Sequence, residues 1–314
     1  MFNQKEITIP AAYPLQGTFT FPDSEQVSYP TVLIIPGSGE IDRNGDTAEQ
    51  PAMYLYQDIA EALAARGYAS FRYDKRGLFE SEGDFLETGF YDFIEDAVHC
   101  IHHLREVTEV NAEQIYLLGH SEGAMITPAI QKQEEVQGII LLSGLAESII
   151  DLTNRQNDAF FEQFKQGKSL KSLLYRLFKI DSLQKKVLNK QRNKILFSDQ
   201  EVMMSNGRRI NAKYIREFWR YNVCEILPAI HCPTFSLTGA NDQHVPPDHA
   251  QTIAELVSGQ AEWQIIPEIN HFLRKGEDQP PHQQTADFIE QQSKLSLANE
   301  VITKITSWLD NQMR

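Results

Sequence analysis

The chain has 314 residues, of which 41% are hydrophobic and 23% charged, enough for one large globular domain or one that carries a sizeable insertion. Its formal net charge of −14 argues against binding nucleic acid through the whole surface. Its apolar runs span only a handful of residues, far short of a membrane-spanning helix, so no membrane insertion is expected.

In chain order, Ile7-Thr8-Ile9 and Leu15 to Phe21 alternate as an antiparallel hairpin does. Thr31 to Ile35 is a continuous, largely β-branched run ending at Pro36-Gly37, the pattern of a strand buried on both faces. Pro51 is predicted to open a helix that buries Leu55, Ile59, Ala62 and Leu63 and closes at Gly67. A strand over 69–73 follows, then a long amphipathic helix through Phe90, Ile94, Ala97, Ile101 and Leu104. A strand over 115–118, a helix from Glu122 and a strand over 138–142 continue the alternation. From Glu147 to Cys224 the pattern turns helical with no clear strand, and Leu170, Leu173, Leu174, Leu177 and Phe178 sit at helical spacing. The strand–helix rhythm resumes at 234–237, with a helix near 247–257, a strand over 263–266 and a last helix through Val301, Ile305 and Leu309. Glu277 to Gln292 is polar and reads as a long loop. The expected class is α/β, a mostly parallel sheet with helices on both faces. The core is expected over 1–146 and 225–314, with a helical insertion over 147–224.

The insertion is charged differently from the rest. Residues 151–220 hold 16 of the 29 Lys+Arg and 7 of the 43 Asp+Glu, so the segment is about +9 and the remainder about −23. The default reading is a solvated helical surface whose lysine stems cover apolar area. Attraction of anionic substrates and docking on acidic surface remain open. Phe160, Phe161, Phe164, Tyr175, Phe178, Met203, Met204, Phe218 and Trp219 would form its core, and some of them would also line an acyl pocket. Cys100, Cys224 and Cys232 are odd in number and lack CxxC spacing, which fits reduced, packed thiols. Met1 to Glu6 show no apolar h-region of a secretory signal. A cytoplasmic location is expected on both grounds.

The most specific chemistry lies at Gly119-His120-Ser121-Glu122-Gly123, a Gly-x-Ser-x-Gly run between a strand and a helix. The glycines allow a turn sharp enough to lift the Ser121 hydroxyl clear of the sheet. A serine hydroxyl is a weak nucleophile until a base takes its proton. The expected order is serine, acid, histidine. His271 follows the strand over 263–266 through a short loop, and Asp242 follows the strand over 234–237, so both fall at the carboxyl edge of the sheet. His244, His249, His120 and Asp248 are the weaker competitors. An oxyanion hole needs two backbone N–H groups. Glu122 supplies one, and the loop Pro36-Gly37-Ser38-Gly39 the other, from Ser38 or alternatively Gly39.

These pieces, with Asp42-Arg43-Asn44-Gly45, Asp74-Lys75-Arg76-Gly77, Gly239-Ala240-Asn241-Asp242 with Val245-Pro246, and Asn270-His271, resemble the α/β-hydrolase superfamily over nearly the whole chain. Within it, they are similar to lidded bacterial carboxylesterases of the serine aminopeptidase-like group. The resemblance implies a core sheet of about eight strands, a lid after the sixth, and hydrolysis of a small-molecule ester without metal or organic cofactor. Many relatives have His-Gly where Pro36-Gly37 stands, and Gly-x-Ser where Leu78-Phe79-Glu80-Ser81 follows Gly77.

Asp42 and Arg43 would touch substrate or, as favoured here, brace the oxyanion loop as an ion pair. Asp74 and Arg76 read as braces too. His99 and His103 fall opposite the apolar face of their helix, and His102 completes no ligand set with them, so no metal site is expected. An amidase, thioesterase or acyltransferase would use the same triad. A non-catalytic binding protein of the same fold is the other class, although it has no need to keep Ser121, Asp242 and His271 together.

Overall fold

A computed structural model describes residues 1–166 and 180–313. In chain order the elements are β1 (Phe2–Ile9), β2 (Leu15–Pro22), β3 (Tyr29–Ile35), α1 (Leu55–Ala64), β4 (Ala69–Tyr73), α2 (Phe90–Leu104), β5 (Val110–His120), α3 (Glu122–Gln133) and β6 (Gly138–Leu142). Then come α4 (Ile149–Gln166), α5 (Ile180–Leu196), β7 (Val202–Ser205), β8 (Arg208–Asn211), α6 (Ala212–Arg220) and α7 (Val223–Ile226). The chain closes with β9 (Thr234–Gly239), α8 (His249–Leu256), β10 (Ala261–Ile266), α9 (Ala286–Ser293) and α10 (Asn299–Gln312). Two compact units result. Residues 1–85, 92–146 and 223–314 form the first, and 86–91 with 147–222 form the second.

The first unit is built on an eight-stranded sheet in the order β1-β2-β4-β3-β5-β6-β9-β10. The β1–β2 and β2–β4 pairs are antiparallel, and the pairs from β4 across to β10 are parallel. Side chains alternate between faces along a strand. Val32, Ile34, Tyr116, Leu118, Ile140, Leu142, Phe235 and Leu237 therefore share one face, packed with Ile59 and Leu63 of α1 and Ile305, Trp308 and Leu309 of α10. Leu33, Ile35, Leu117, Ile139 and Leu141 alternate with them and are also buried. Burial on both faces explains why these strands read as continuous apolar runs. From β3 the chain steps one way to β4, then crosses back to place β5 on the other side of β3. The carboxyl ends of β3 and β5 thus flank the point where strand order reverses, where ligands bind in open α/β sheets.

Two expectations for this unit are corrected. Helix α1 starts at Leu55 and not at Pro51, because Asp46 Oδ1 accepts the N–H groups of Met53 and Tyr54 and holds the intervening chain as a loop. Tyr54 itself is left-handed, with φ 52°. The stretch 277–292 is not one long loop. Thr285 accepts the Phe288 N–H and caps α9, whose Phe288 and Ile289 pack with Met53.

The second unit contains strands that the helical reading missed. β7 and β8 pair antiparallel, and Asn206 and Gly207 between them both have positive φ, 49° and 79°. That is the two-residue turn for which Asn-Gly is the strongest local signal. Asn211 then caps α6 by accepting the Tyr214 N–H. Its small core joins Ile195, Met203 and Ala212, with Ile210, Ile215 and Trp219 packed against it. Phe90 stacks on Phe218 at 5.2 Å and lies 4.8 Å from Tyr221. Of the residues expected in this core, Phe161 and Met203 are buried, whereas Phe160 and Met204 are exposed. The helical pattern at Leu170 to Phe178, with Tyr175, and the side chain of Phe164 lie outside the described residues. No described helix is long and apolar enough to cross a membrane.

Candidate active site

Ser121 sits between β5 and α3 with φ 56° and ψ −115°, a strained conformation for a residue bearing a Cβ. The turn closes so tightly that a Cβ at Gly119 would lie 2.3 Å from the Gly123 carbonyl oxygen, and one at Gly123 would lie 2.1 Å from that of Ile35. Glycine is therefore required at both positions. The strained turn keeps the Ser121 hydroxyl at the mouth of the sheet, and the Ser121 N–H is anchored on the Leu142 carbonyl.

The structure brings Ser121, His271 and Asp242 into one line. His271 Nε2 is 3.0 Å from Ser121 Oγ, and His271 Nδ1 is 2.9 Å from Asp242 Oδ2. Asp242 and His271 are each 4% exposed. Asp242 Oδ1 also accepts the N–H groups of His244 and Val245, at 2.8 and 2.9 Å. Burial alone would raise this carboxyl, but His271 and the backbone donors outweigh it and hold it at about 2. Burial likewise opposes charging His271, yet the adjoining Asp242 raises the imidazole above its ordinary 6.5. Asp242 thus fixes the N–H of His271 on Nδ1, leaving Nε2 to accept from Ser121.

The loop after β3 runs beside the serine. A Cβ built on Gly37 would be 3.5 Å from Ser121 Cβ. Ser38 follows it and is exposed, as is Gly39, which has φ +92°. Glu122 opens α3 and is buried. Gly37 is held on both sides, its N–H by Tyr56 Oη at 2.7 Å and its carbonyl, in the peptide to Ser38, by Lys75 Nζ at 2.7 Å. Lys75 is buried, which lowers its pKa.

Other expected site residues fall elsewhere. Arg43 does not pair with Asp42. It binds the buried Asp74 at 2.7 Å and also meets Glu6 and Glu80. Asp42 caps its own turn by accepting the N–H groups of Asn44 and Asp46. Arg76 forks onto Asp96, a carboxylate with no exposure. Asp248 is exposed, and His249 accepts the Ala146 N–H. His99 and His102 are exposed, the latter 2.7 Å from Glu134. Among the described residues, no group of three or more His, Cys, Asp or Glu is arranged to hold a metal ion.

Of three neighbours of His271, the sequence offered His244 and His120 only as weaker competitors for the base and did not mark Asp278 at all. His244 stacks on it, ring centroids 4.0 Å apart and planes 15° from parallel, with Nε2 2.7 Å from Gln284 Nε2. Burial, followed by the charge of His271, pushes His244 down to about 2, so it presents a neutral face. Asp278 Oδ2 accepts the N–H of His271 at 3.1 Å and that of Gln243 at 3.0 Å. His120 lies beneath, its Nε2 2.9 Å from the His271 carbonyl oxygen. Only His244 had a local signal, since the N–H groups captured by Asp242 belong to the residues two and three places on.

Comparison with known proteins agrees with this architecture. Residues 52–278 match the hydrolase family described as serine aminopeptidase, S33. The chain is 24% identical over 310 residues to esterase EstD of Thermotoga maritima, a match covering 98% of this chain and 68% of EstD. Est1E from Butyrivibrio proteoclasticus, solved with ferulic acid bound, aligns with a TM-score of 0.59 and 16% identity over 96% of this chain and 97% of its own. The Pyrococcus furiosus esterase Pf2001 gives 0.59 and 17% over 100% and 92%. The chain belongs to the serine aminopeptidase S33 family and has the α/β-hydrolase fold.

Proposed function

We propose that the chain is a carboxylesterase-type serine hydrolase that cleaves a small-molecule ester through an acyl-enzyme. The observation that carries this reading is the unbroken contact Ser121 Oγ–His271 Nε2 and His271 Nδ1–Asp242 Oδ2, at 3.0 and 2.9 Å. In this mechanism His271 Nε2 takes the Ser121 proton as Oγ attacks the carbonyl carbon. Asp242 stabilises the resulting imidazolium without accepting its proton. The N–H groups of Ser38 and Glu122 hold the oxyanion. As the intermediate collapses, the imidazolium gives its proton to the departing alkoxide. A water molecule, deprotonated by His271, then releases the acid and restores Ser121. Arg43 with Asp74, and Arg76 with Asp96, act as braces of the loops around this centre. The second compact unit is, in this reading, the cap that selects substrate size.

The esterases among its relatives support an ester substrate, and the family description gives an aminopeptidase as the second reading. Both are tested by turnover of p-nitrophenyl esters of increasing acyl length beside aminoacyl p-nitroanilides. Ester hydrolysis that exceeds anilide hydrolysis supports the esterase. The reverse ranking selects the aminopeptidase.

A further inference from the structure

Three buried side chains, Lys75, Tyr56 and His120, link the two halves of this centre through backbone groups of Gly37 and His271. Lys75 Nζ donates to the Gly37 carbonyl, and the Gly37 N–H donates to Tyr56 Oη, both at 2.7 Å. Tyr56 Oη lies 3.1 Å from His120 Nδ1, and His120 Nε2 lies 2.9 Å from the His271 carbonyl oxygen. Tyr56, Lys75, His120 and His271 are each no more than 4% exposed. Only one proton arrangement satisfies the chain. A carbonyl can only accept, so His120 must carry its proton on Nε2. His120 Nδ1 is then an acceptor, and the Tyr56 hydroxyl must donate to it while accepting from Gly37. A protonated His120 would turn Nδ1 into a donor facing the Tyr56 hydroxyl proton. Burial keeps it neutral, holding it down at about 3.

We infer that Tyr56 and His120 are positioning residues that lock the oxyanion loop to the loop bearing the base, so that the donor at Ser38 and the imidazole of His271 are set together. One end of the chain fixes the peptide immediately before Ser38, and the other fixes the backbone of His271. The link passes under the nucleophile through its own neighbour in sequence. The approach is tight, since a Cβ on Gly37 would be 3.2 Å from Tyr56 Oη. Neither residue touches the reacting atoms. Their effect is on alignment, and misplacement of about 1 Å at such a centre can cost on the order of 100-fold in rate.

The inference rests on the hydrolase reading and is tested on the full chain with the best p-nitrophenyl ester. Tyr56→Phe keeps the ring and removes the link. Its kcat is expected to fall by about 10- to 100-fold with KM within about twofold, because alignment matters in the transition state more than in the bound ester. His120→Leu should fall similarly, and the double variant should lose little more than the worse single one, because either change opens the same chain. His120→Gln, whose amide can donate to the His271 carbonyl, should recover part of the loss. Unchanged kcat in Tyr56→Phe, or losses that multiply in the double variant, would overturn the proposal. Nitrogen-15 NMR of histidine-labelled wild-type protein at neutral pH tests it without any variant. A neutral His120 protonated on Nε2 is expected, and an Nδ1–H tautomer or an imidazolium contradicts it. A wild-type chain that turns over no ester or anilide would refute the hydrolase reading, while the NMR result would still decide the link.

Discussion

The two compact units use charge in opposite ways. In the first, charged groups are buried and matched, as with Arg76 on Asp96 and Arg43 on Asp74. In the second, α5 is basic and largely exposed, with Leu183 at 61% and Val187 at 49%. Its pair of Lys185 and Asp158 has both side chains about half exposed. Buried polar groups must be partnered, so each one constrains its neighbours and fixes geometry. Exposed ones are served by water and constrain little. Side chains that must stay in line need the first kind of environment, whereas an exposed helical surface can carry the second.

The contrast can be broken or sharpened at graded cost. The largest effect is expected from Ser121→Ala, a loss of kcat on the order of 10⁶-fold in a protein with unchanged circular dichroism. Residual turnover close to wild type would remove the nucleophile from the account. Asp242→Asn should lower kcat by roughly 10⁴-fold, since an amide no longer enforces the Nδ1–H tautomer of His271. Single-turnover kinetics would show the loss in acylation. Arg76→Met strands the Asp96 carboxylate in the core and should cost about 3–5 kcal/mol in urea denaturation. A cost below about 1 kcal/mol would place the pair with the surface bridges of the second unit.

The pH response is next. His271 must be neutral to act as a base, and Asp242 raises its pKa above 6.5. The acid limb of kcat/KM should therefore have its midpoint above 6.5, with activity falling about tenfold per pH unit below it. A midpoint below 6.5 contradicts the assigned pairing. The same coupling acts on stability with the opposite sign. The His271 contribution is full below the unfolded-state value and is lost as pH rises through the raised folded one. The Asp242 contribution is present above 3.8 and is lost as pH falls toward about 2. The smallest effect is expected from Lys185→Ala, within about 1 kcal/mol of wild type by thermal or urea unfolding.

Much of the sheet was legible because its strands are buried on both faces and leave unbroken apolar runs, as at Thr31 to Ile35. Ser121 stood out because its turn demands glycine on both sides, and Asp242 and His271 because each follows a strand at the same edge of the sheet. The contacts of Asp278, Tyr56 and Lys75 were not legible. They depend on how loops distant in sequence meet, and no local period or spacing records that. The β7–β8 hairpin had its signal in Asn206-Gly207, but the helical and basic composition around it masked the alternation. Helix α9 was hidden for a similar reason, since only Phe288, Ile289 and Gln292 of a polar segment are buried.

The most direct test of the account is mass spectrometry after fluorophosphonate treatment of the wild-type chain and of His271→Ala. One adduct per chain on the peptide bearing Ser121, with labelling markedly slowed in His271→Ala, is the expected result. An adduct on another residue, or labelling equally fast without His271, would contradict the claim that Ser121 is a nucleophile activated by His271.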